Sequence, residues 1–452
     1  MDVVERTEES LLPLCFVLMP FGTKHDETGA VIEFDDVYNR VIRPAVLAAG
    51  MQCVRADEEH VGGIIHKPMF ERLLLCDYAV ADLTSANANV FYELGIRHAA
   101  RPWSTVLTFA DGFRLPFDVQ PLRGLRYHLG EAGRVDHVEE DREALRRRLV
   151  EAMDHSTDSP LFQTFAHLAP PDFAGLDAES FRDRLRDVER LQAQLAVART
   201  RGVAAVDDVR ERLGSVRDAE AGVLIELLLA YRDFEQWEAM LALADEMSPE
   251  VARNPTVREQ RALALNRSGD DVGAEAELRT LLAERGPSSE VYGLLGRLYK
   301  DRWEAASGSP LKAAALLEQA IGFYLAGFES DWRDPYPGVN AVQLLRIRDS
   351  ADPRVAELLP VVRYSAKQRV SAQRGSYWDF ATLAELDLYA GDLRSAREWF
   401  GRALASSPSP MQASTTLASL RRLRASYAGG PPPGWEELES ALAEIAGPPD
   451  GS

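Results

Sequence analysis

The chain has 452 residues, 46% of them apolar and 27% charged, with a formal charge of −20. That length exceeds one small core and predicts two or three domains. The acidic field excludes a nucleic-acid or anionic-membrane partner surface, although backbone N–H groups and a few basic side chains can still hold a phosphorylated ligand locally.

Leu14 to Met19 is a continuous apolar run closed by Pro20-Phe21-Gly22, the pattern of a buried strand ending in a turn. Lys24 to Ala30 reads as an exposed loop. Phe34, Val37, Tyr38, Val41, Ile42 and Ala45 recur at helical spacing up to Gly50, with Pro44 expected to kink the helix or shift its start. Met51 to Arg55 is a second strand, followed by Asp57-Glu58-Glu59, and Ile64 to Leu75 is a helix by pattern. Tyr78 to Leu83 is the third strand. Its small residues Ala79 and Ala81 alternate with larger ones, which suits a central strand covered on both faces. A polar loop, Thr84 to Asn89, leads to a helix opening at Val90 with Asn89 as its N-cap. Thr105 to Phe109 is a fourth strand and His137 to Met153 a closing amphipathic helix. Strands separated by helices of this length predict a parallel sheet with helices on both faces over residues 1–155.

Residues 156–204 read as a connector and an amphipathic helix with the seam Phe181, Leu185, Val188, Leu191 and Leu195. Beyond 205 nothing resembles a strand. Ala262 to Leu281 and Ala384 to Leu404 are self-similar: Gly269-Asp270, Ala274 and Leu278 repeat as Gly391-Asp392, Ala396 and Phe400. Ala239 precedes Ala274 by close to one tetratricopeptide period. The expectation for 205–446 is therefore an all-α, tetratricopeptide-like solenoid with an insertion near Ser330 to Asp349, and for 447–452 a disordered tail. Cys15, Cys53 and Cys76 sit in apolar patterns without metal-like spacing. With no basic-then-apolar start, they predict a reduced, cytoplasmic protein holding no metal and needing no cofactor.

Glu93 is the candidate catalytic carboxylate, set about one turn inside a helix above the carboxyl end of a parallel strand, where open α/β sheets place ligands. A first-turn acid serving the helix dipole alone is the competing reading. Asp82 either orients ribose hydroxyls or bonds the loop N–H groups after its strand. Pro20, Phe21 and Gly22 form either a ligand cradle or a plain turn. Arg55 and Asp57 are ligand candidates at the end of the second strand, and Asn87 and Asn89 either touch ligand or shape the loop.

Phe16-Val-Leu-Met-Pro-Phe-Gly22, Cys76-Asp-Tyr-Ala-Val-Ala-Asp-Leu-Thr84 and Asn89-Val-Phe-Tyr-Glu-Leu-Gly95 together resemble the nucleoside deoxyribosyltransferase-like branch of the TIR/sirtuin-related α/β folds. The resemblance implies a flavodoxin-like sheet and N-glycosidic cleavage of NAD or a related nucleotide, with Glu93 meeting the anomeric carbon. The longer pattern, including Asp334-Pro-Tyr-Pro-Gly-Val-Asn-Ala341, is similar to bacterial proteins whose helical half looks like the TRAF-binding region of apoptosis signal-regulating kinases. That likeness implies a signalling or antiviral-defence protein whose repeats engage a protein partner, with a homo-oligomer as a further expectation. A nucleotide-sensing or scaffold protein without turnover is the alternative.

Overall fold

In a computed structural model the chain is described over residues 12–25, 31–55, 66–113, 119, 124–130, 133–154, 156–165, 167–173, 175–306, 308–373, 376–406, 410–425 and 435–446. Asp57, Pro431 to Pro433 and the tail 447–452 lie outside these residues. Contacts divide the chain into two compact units, 1–234 with 247–256, and 235–246 with 257–452.

The first unit is built on β1 (Leu14–Leu18), β2 (Thr23–His25), β3 (Val31–Glu33), α1 (Phe34–Val37), a π-turn (Tyr38–Ile42), α2 (Arg43–Ala48), β4 (Gln52–Arg55), α3 (His66–Leu75) and β5 (Tyr78–Asp82). Then come α4 (Ala88–Ala100), β6 (Thr105–Ala110), β7 (Leu125–Tyr127), α5 (Val138–Ala152), α6 (Pro160–Thr164), α7 (Ala178–Arg201), α8 (Val203–Leu213) and α9 (Ala221–Asp233). Five strands pair in parallel in the order β4-β1-β5-β6-β7. Counted along the chain within the sheet that is 2-1-3-4-5, the flavodoxin-like order, whose connections reverse direction between β1 and β5.

Period-two alternation assigns the faces. Cys15, Val17, Tyr78, Val80 and Val106 pack with Phe34, Val41, Ala45, Leu145 and Leu149. Leu14, Phe16, Leu18, Ala79, Ala81 and Leu107 pack with Leu73 of α3, Leu94 of α4 and Phe181 and Leu185 of α7. The small Ala79 and Ala81 thus lie under the helices of the second face, and the seam of α7 finishes that face.

Three local expectations are corrected and one is resolved. Lys24 does not begin a loop: β2 and β3 form an antiparallel hairpin that pairs Thr23 with Glu33 and Lys24 with Ile32. Of the two expectations for Pro44 the shifted start is the one seen: a π-turn, where the Arg43 N–H reaches back to the Tyr38 carbonyl, ends at Ile42, and α2 begins afresh with Pro44 in its first turn, where a missing N–H costs nothing. The fourth helix opens at Ala88, not Val90, and its cap is Asn87, whose side chain accepts from the Asn89 and Val90 N–H groups. A fifth strand, β7, was hidden because Leu-Arg-Tyr is too short to show alternation.

The remaining helices are α10 (Trp237–Glu246), α11 (Pro249–Ala252), α12 (Pro255–Arg267), α13 (Asp271–Arg285), α14 (Ser289–Ala305), α15 (Pro310–Ser330), α16 (Pro335–Arg348), α17 (Pro353–Gln373), α18 (Tyr377–Tyr389), α19 (Leu393–Ala405), α20 (Pro410–Ala425) and α21 (Trp435–Ala446). Among the described residues the second unit is all helical. Its two Gly-Asp turns are built alike. Gly269 and Gly391 both have positive φ, the Asp270 and Asp392 N–H groups bond back to Leu265 and Asp387 carbonyls, and each aspartate caps the following helix. The buried Ala274 and Ala396 follow at the same offset. Residues 335–348, where an insertion is expected, form a packed helix: α16 carries Asp334 as its cap and prolines in its first turn, and nine of its residues are buried.

Close helix approach in this unit depends on glycine. A Cβ on Gly338 would stand 2.7 Å from Val362 Cγ2 and 2.9 Å from Phe328 Cδ2. Gly338→Ala is expected to destabilise the chain by about 1–2 kcal/mol through overpacking. Thermal unfolding checks this; an unchanged midpoint would mean that α16 and α17 yield freely.

Candidate functional site

The sheet places two groups of candidate residues at the carboxyl ends of β1 and β5, on either side of the switch point. The first group centres on Arg55. Its guanidinium stacks 4.1 Å from the Phe21 ring centroid and 4.3 Å from that of Tyr38. It donates to the Pro20 carbonyl (3.3 Å) and to Asp35 Oδ1 (2.8 Å). Gly22, at φ 63°, turns the chain so that its carbonyl accepts the Phe34 N–H. Pro20, Phe21, Gly22 and Arg55 therefore do come together. Arg55 is already committed to holding the turn and the hairpin base, and Asp35 and Tyr38 are partners the sequence did not single out.

The second group centres on Asp82, which is 1% exposed. Its Oδ1 accepts from the Thr84 N–H (2.9 Å) and hydroxyl (2.5 Å), and its Oδ2 from the Tyr127 hydroxyl (2.8 Å). Thr84 Oγ1 in turn accepts the Ala110 N–H at 3.0 Å. Burial raises the Asp82 carboxyl to about 6, and the bonds from Thr84 and Tyr127 hold it from going higher. This network ties the ends of β5, β6 and β7 together. Of the two readings of Asp82, bonding to the loop after its strand is the one these contacts describe.

Glu93 is 6% exposed. Because the helix begins at Ala88, Glu93 is its sixth residue, in the second turn, where the dipole has faded. It lies between Val90 and Leu94, which face the apolar cluster on that side of the sheet. Asn87 is spent on capping, and Asn89 is exposed on the first turn. One turn beyond Glu93, Arg97 is fully buried and donates to the carbonyls of Leu73 (2.7 Å), Cys76 (2.7 Å) and Asp77 (2.9 Å) and to Ser104 Oγ (2.9 Å).

The repeat unit offers a different kind of site. Trp332 and Tyr364 are each 55% exposed, and Val361 is exposed beside them. The Ser365 hydroxyl bonds to the backbone carbonyls of Trp332 (2.6 Å) and Val361 (3.0 Å), which ties the turn carrying Trp332 to α17. Exposed large aromatic and apolar side chains on neighbouring elements are the residue types that protein contact sites use. Among the described residues no group of His, Cys, Asp and Glu has the arrangement of a metal site, and no helix is long and apolar enough to cross a membrane.

Residues 90–409 match the model of the MAP3K TRAFs-binding domain. The mitogen-activated protein kinase kinase kinase nsy-1 of Caenorhabditis elegans is 29% identical over 43% of this chain and 14% of its own length. The human mitogen-activated protein kinase kinase kinase 6 is 26% identical over 83% of this chain and 28% of its own length. The chain thus spans less than a third of either relative. A thermophilic tetratricopeptide-repeat protein of Thermus thermophilus aligns in shape at 17% identity and a TM-score of 0.34, over 45% of this chain and all of that one.

Proposed function

Because the chain belongs to the MAP3K TRAFs-binding domain family over residues 90–409, we propose that it is a regulatory scaffold of a signalling assembly that docks a TRAF-type adaptor through its helical repeats. The family span carries this reading, since it runs through every helix from α4 to α19. The exposed Trp332 and Tyr364 supply the aromatic anchors that such contacts use. The sheet unit, on the same reading, holds a nucleotide at the β1–β5 switch point without cleaving it. The saturated Asp82 and the buried Glu93 favour binding over N-glycosidic turnover, which needs a carboxylate free to approach the sugar carbon.

The test is size-exclusion with light scattering on the full chain mixed with a purified TRAF protein, together with incubation with NAD. Co-elution is expected, weakened at least about tenfold by Trp332→Ala with Tyr364→Ala, as loss of a hot spot would give. No free nicotinamide is expected. An unshifted elution volume would overturn the partner reading, and nicotinamide release abolished by Glu93→Gln would restore the enzyme.

A further inference from the structure

We propose that the groove between α7 and α8 is a docking site for an acidic amphipathic helix, about three turns long, presented by a partner protein. This contact goes beyond the adaptor reading and uses none of its aromatic anchors.

Gly202, at φ 109°, is the single residue between α7 and α8, so the two helices run back along each other. Between them lies a groove of about 350 Å³ lined by these two helices alone. Val197 and Ala198 of α7 and Ala205 and Val209 of α8 give it an apolar floor. The alanines leave room for a further element to come close, and Val197 is 47% exposed. Helix α9 packs against both α7 and α8, yet none of its residues lines this groove.

The charged lining is Arg190, Arg201, Arg212 and Asp208, three cations against one anion in a chain whose total charge is −20. Arg190 reaches Asp187 at 2.8 Å, one turn back on α7. Arg201 and Arg212 are exposed, and neither forms an ion pair within 4.0 Å among the described residues. Counted from the turn at Gly202, Arg201 stands at one end of the groove and Arg190 and Arg212 together at the other. The separation along α7 is eleven residues, or about 16 Å. A small anion could meet only one of those ends, so the charge pattern calls for an elongated acidic ligand.

The walls select its conformation. Backbone groups within both helices are bonded internally, so an extended segment laid here would find no N–H or C=O partners. An incoming helix has its own backbone bonds made, and its ridges fit between two facing rows of side chains. Gln194 also lines the groove, and its Oε1 is buried without a hydrogen-bond partner among the described residues. A hydroxyl or amide donor midway along the incoming helix would satisfy that oxygen. The same groove of a second copy would set arginines against arginines, which disfavours self-pairing.

The experiment is fluorescence anisotropy on the full chain with a labelled model peptide of about three helical turns, with Leu and Ala on one face, Gln at the centre and Glu towards both ends. Two control peptides carry the same residues in scrambled order, or Lys in place of Glu. The acidic amphipathic peptide is expected to bind at least about tenfold more tightly than either control, and to weaken as salt is raised. Arg201→Glu with Arg212→Glu should remove that margin. Ala193→Trp should remove it independently, because it keeps every charge and fills the groove from an exposed position. Circular dichroism checks the fold of both variants, and the comparison of peptides on the unmodified chain stands without them. Equal binding of the three peptides, or binding untouched by both variants, would overturn the groove as a helix site. A dimer in light scattering that Ala193→Trp breaks would also overturn it, since the occupant would then be a second copy. Binding should survive Trp332→Ala with Tyr364→Ala; its loss there would assign the peptide to the adaptor surface and overturn the groove.

Discussion

Arg97→Ala is expected to cost about 3–5 kcal/mol of stability, the range for removing one partner from a buried charged network. The side chain is wholly enclosed, and its four acceptors come from the end of α3, the residues leading into β5, and Ser104 just before β6. Burial lowers the guanidinium to about 10, with the Arg101 charge adding to the effect, yet it remains protonated at neutral pH. Truncation would leave three carbonyls without this donor in a region closed to water, and each orphan is costly. Lysine cannot substitute, since a point ammonium cannot span the fork geometry. Urea unfolding followed by circular dichroism measures the loss. A change below about 1 kcal/mol would mean that water or neighbouring donors replace the guanidinium.

Asp82 makes the second large effect one of pH. Its carboxyl is raised from 3.8 to about 6 in the folded protein, so between those values the folded chain holds a proton that the unfolded chain has lost. Stability from this group therefore rises as pH falls from about 6 towards about 4, and the full penalty is present above the folded value. The swing amounts to about 3 kcal/mol at most. Asp158, also raised to about 6 by burial, acts in the same direction. His98, lowered to about 4 by burial and then by Arg97, opposes both, because the unfolded chain gains its proton first on acidification. Subtraction isolates Asp82. The stability of wild type minus that of Asp82→Asn should increase on going from about pH 7 to about pH 4.5, and parallel unfolding profiles would sink the assignment.

The first four strands of the sheet were legible because their apolar runs and flanking Gly and Pro are local signals, and Ala79 and Ala81 announced a strand covered on both faces. The flavodoxin-like order came with the resemblance, since pairing such as Cys15 with Cys53 and Tyr78 is a long-range choice that local spacing does not record. The cap was misread by two residues because Asn87 and Asn89 are both competent, and only the backbone decides which one turns first. The Asp82 network was invisible for another reason. Its closing hydroxyl, Tyr127, lies 45 residues away in a three-residue strand. In the repeats, the Gly-Asp turns showed themselves because their geometry demands particular residue types.

The docking of α7 on the second sheet face bears on how the molecule can be divided. Phe181 and Leu185 lie well past the last strand, yet they roof the same greasy layer as Phe16 and Leu94. A fragment trimmed just after α5 would keep every strand and still bare that layer to solvent, inviting clumping. The smallest self-sufficient piece of the sheet unit must therefore carry the long helix with it, although nothing in the strand pattern announces the debt.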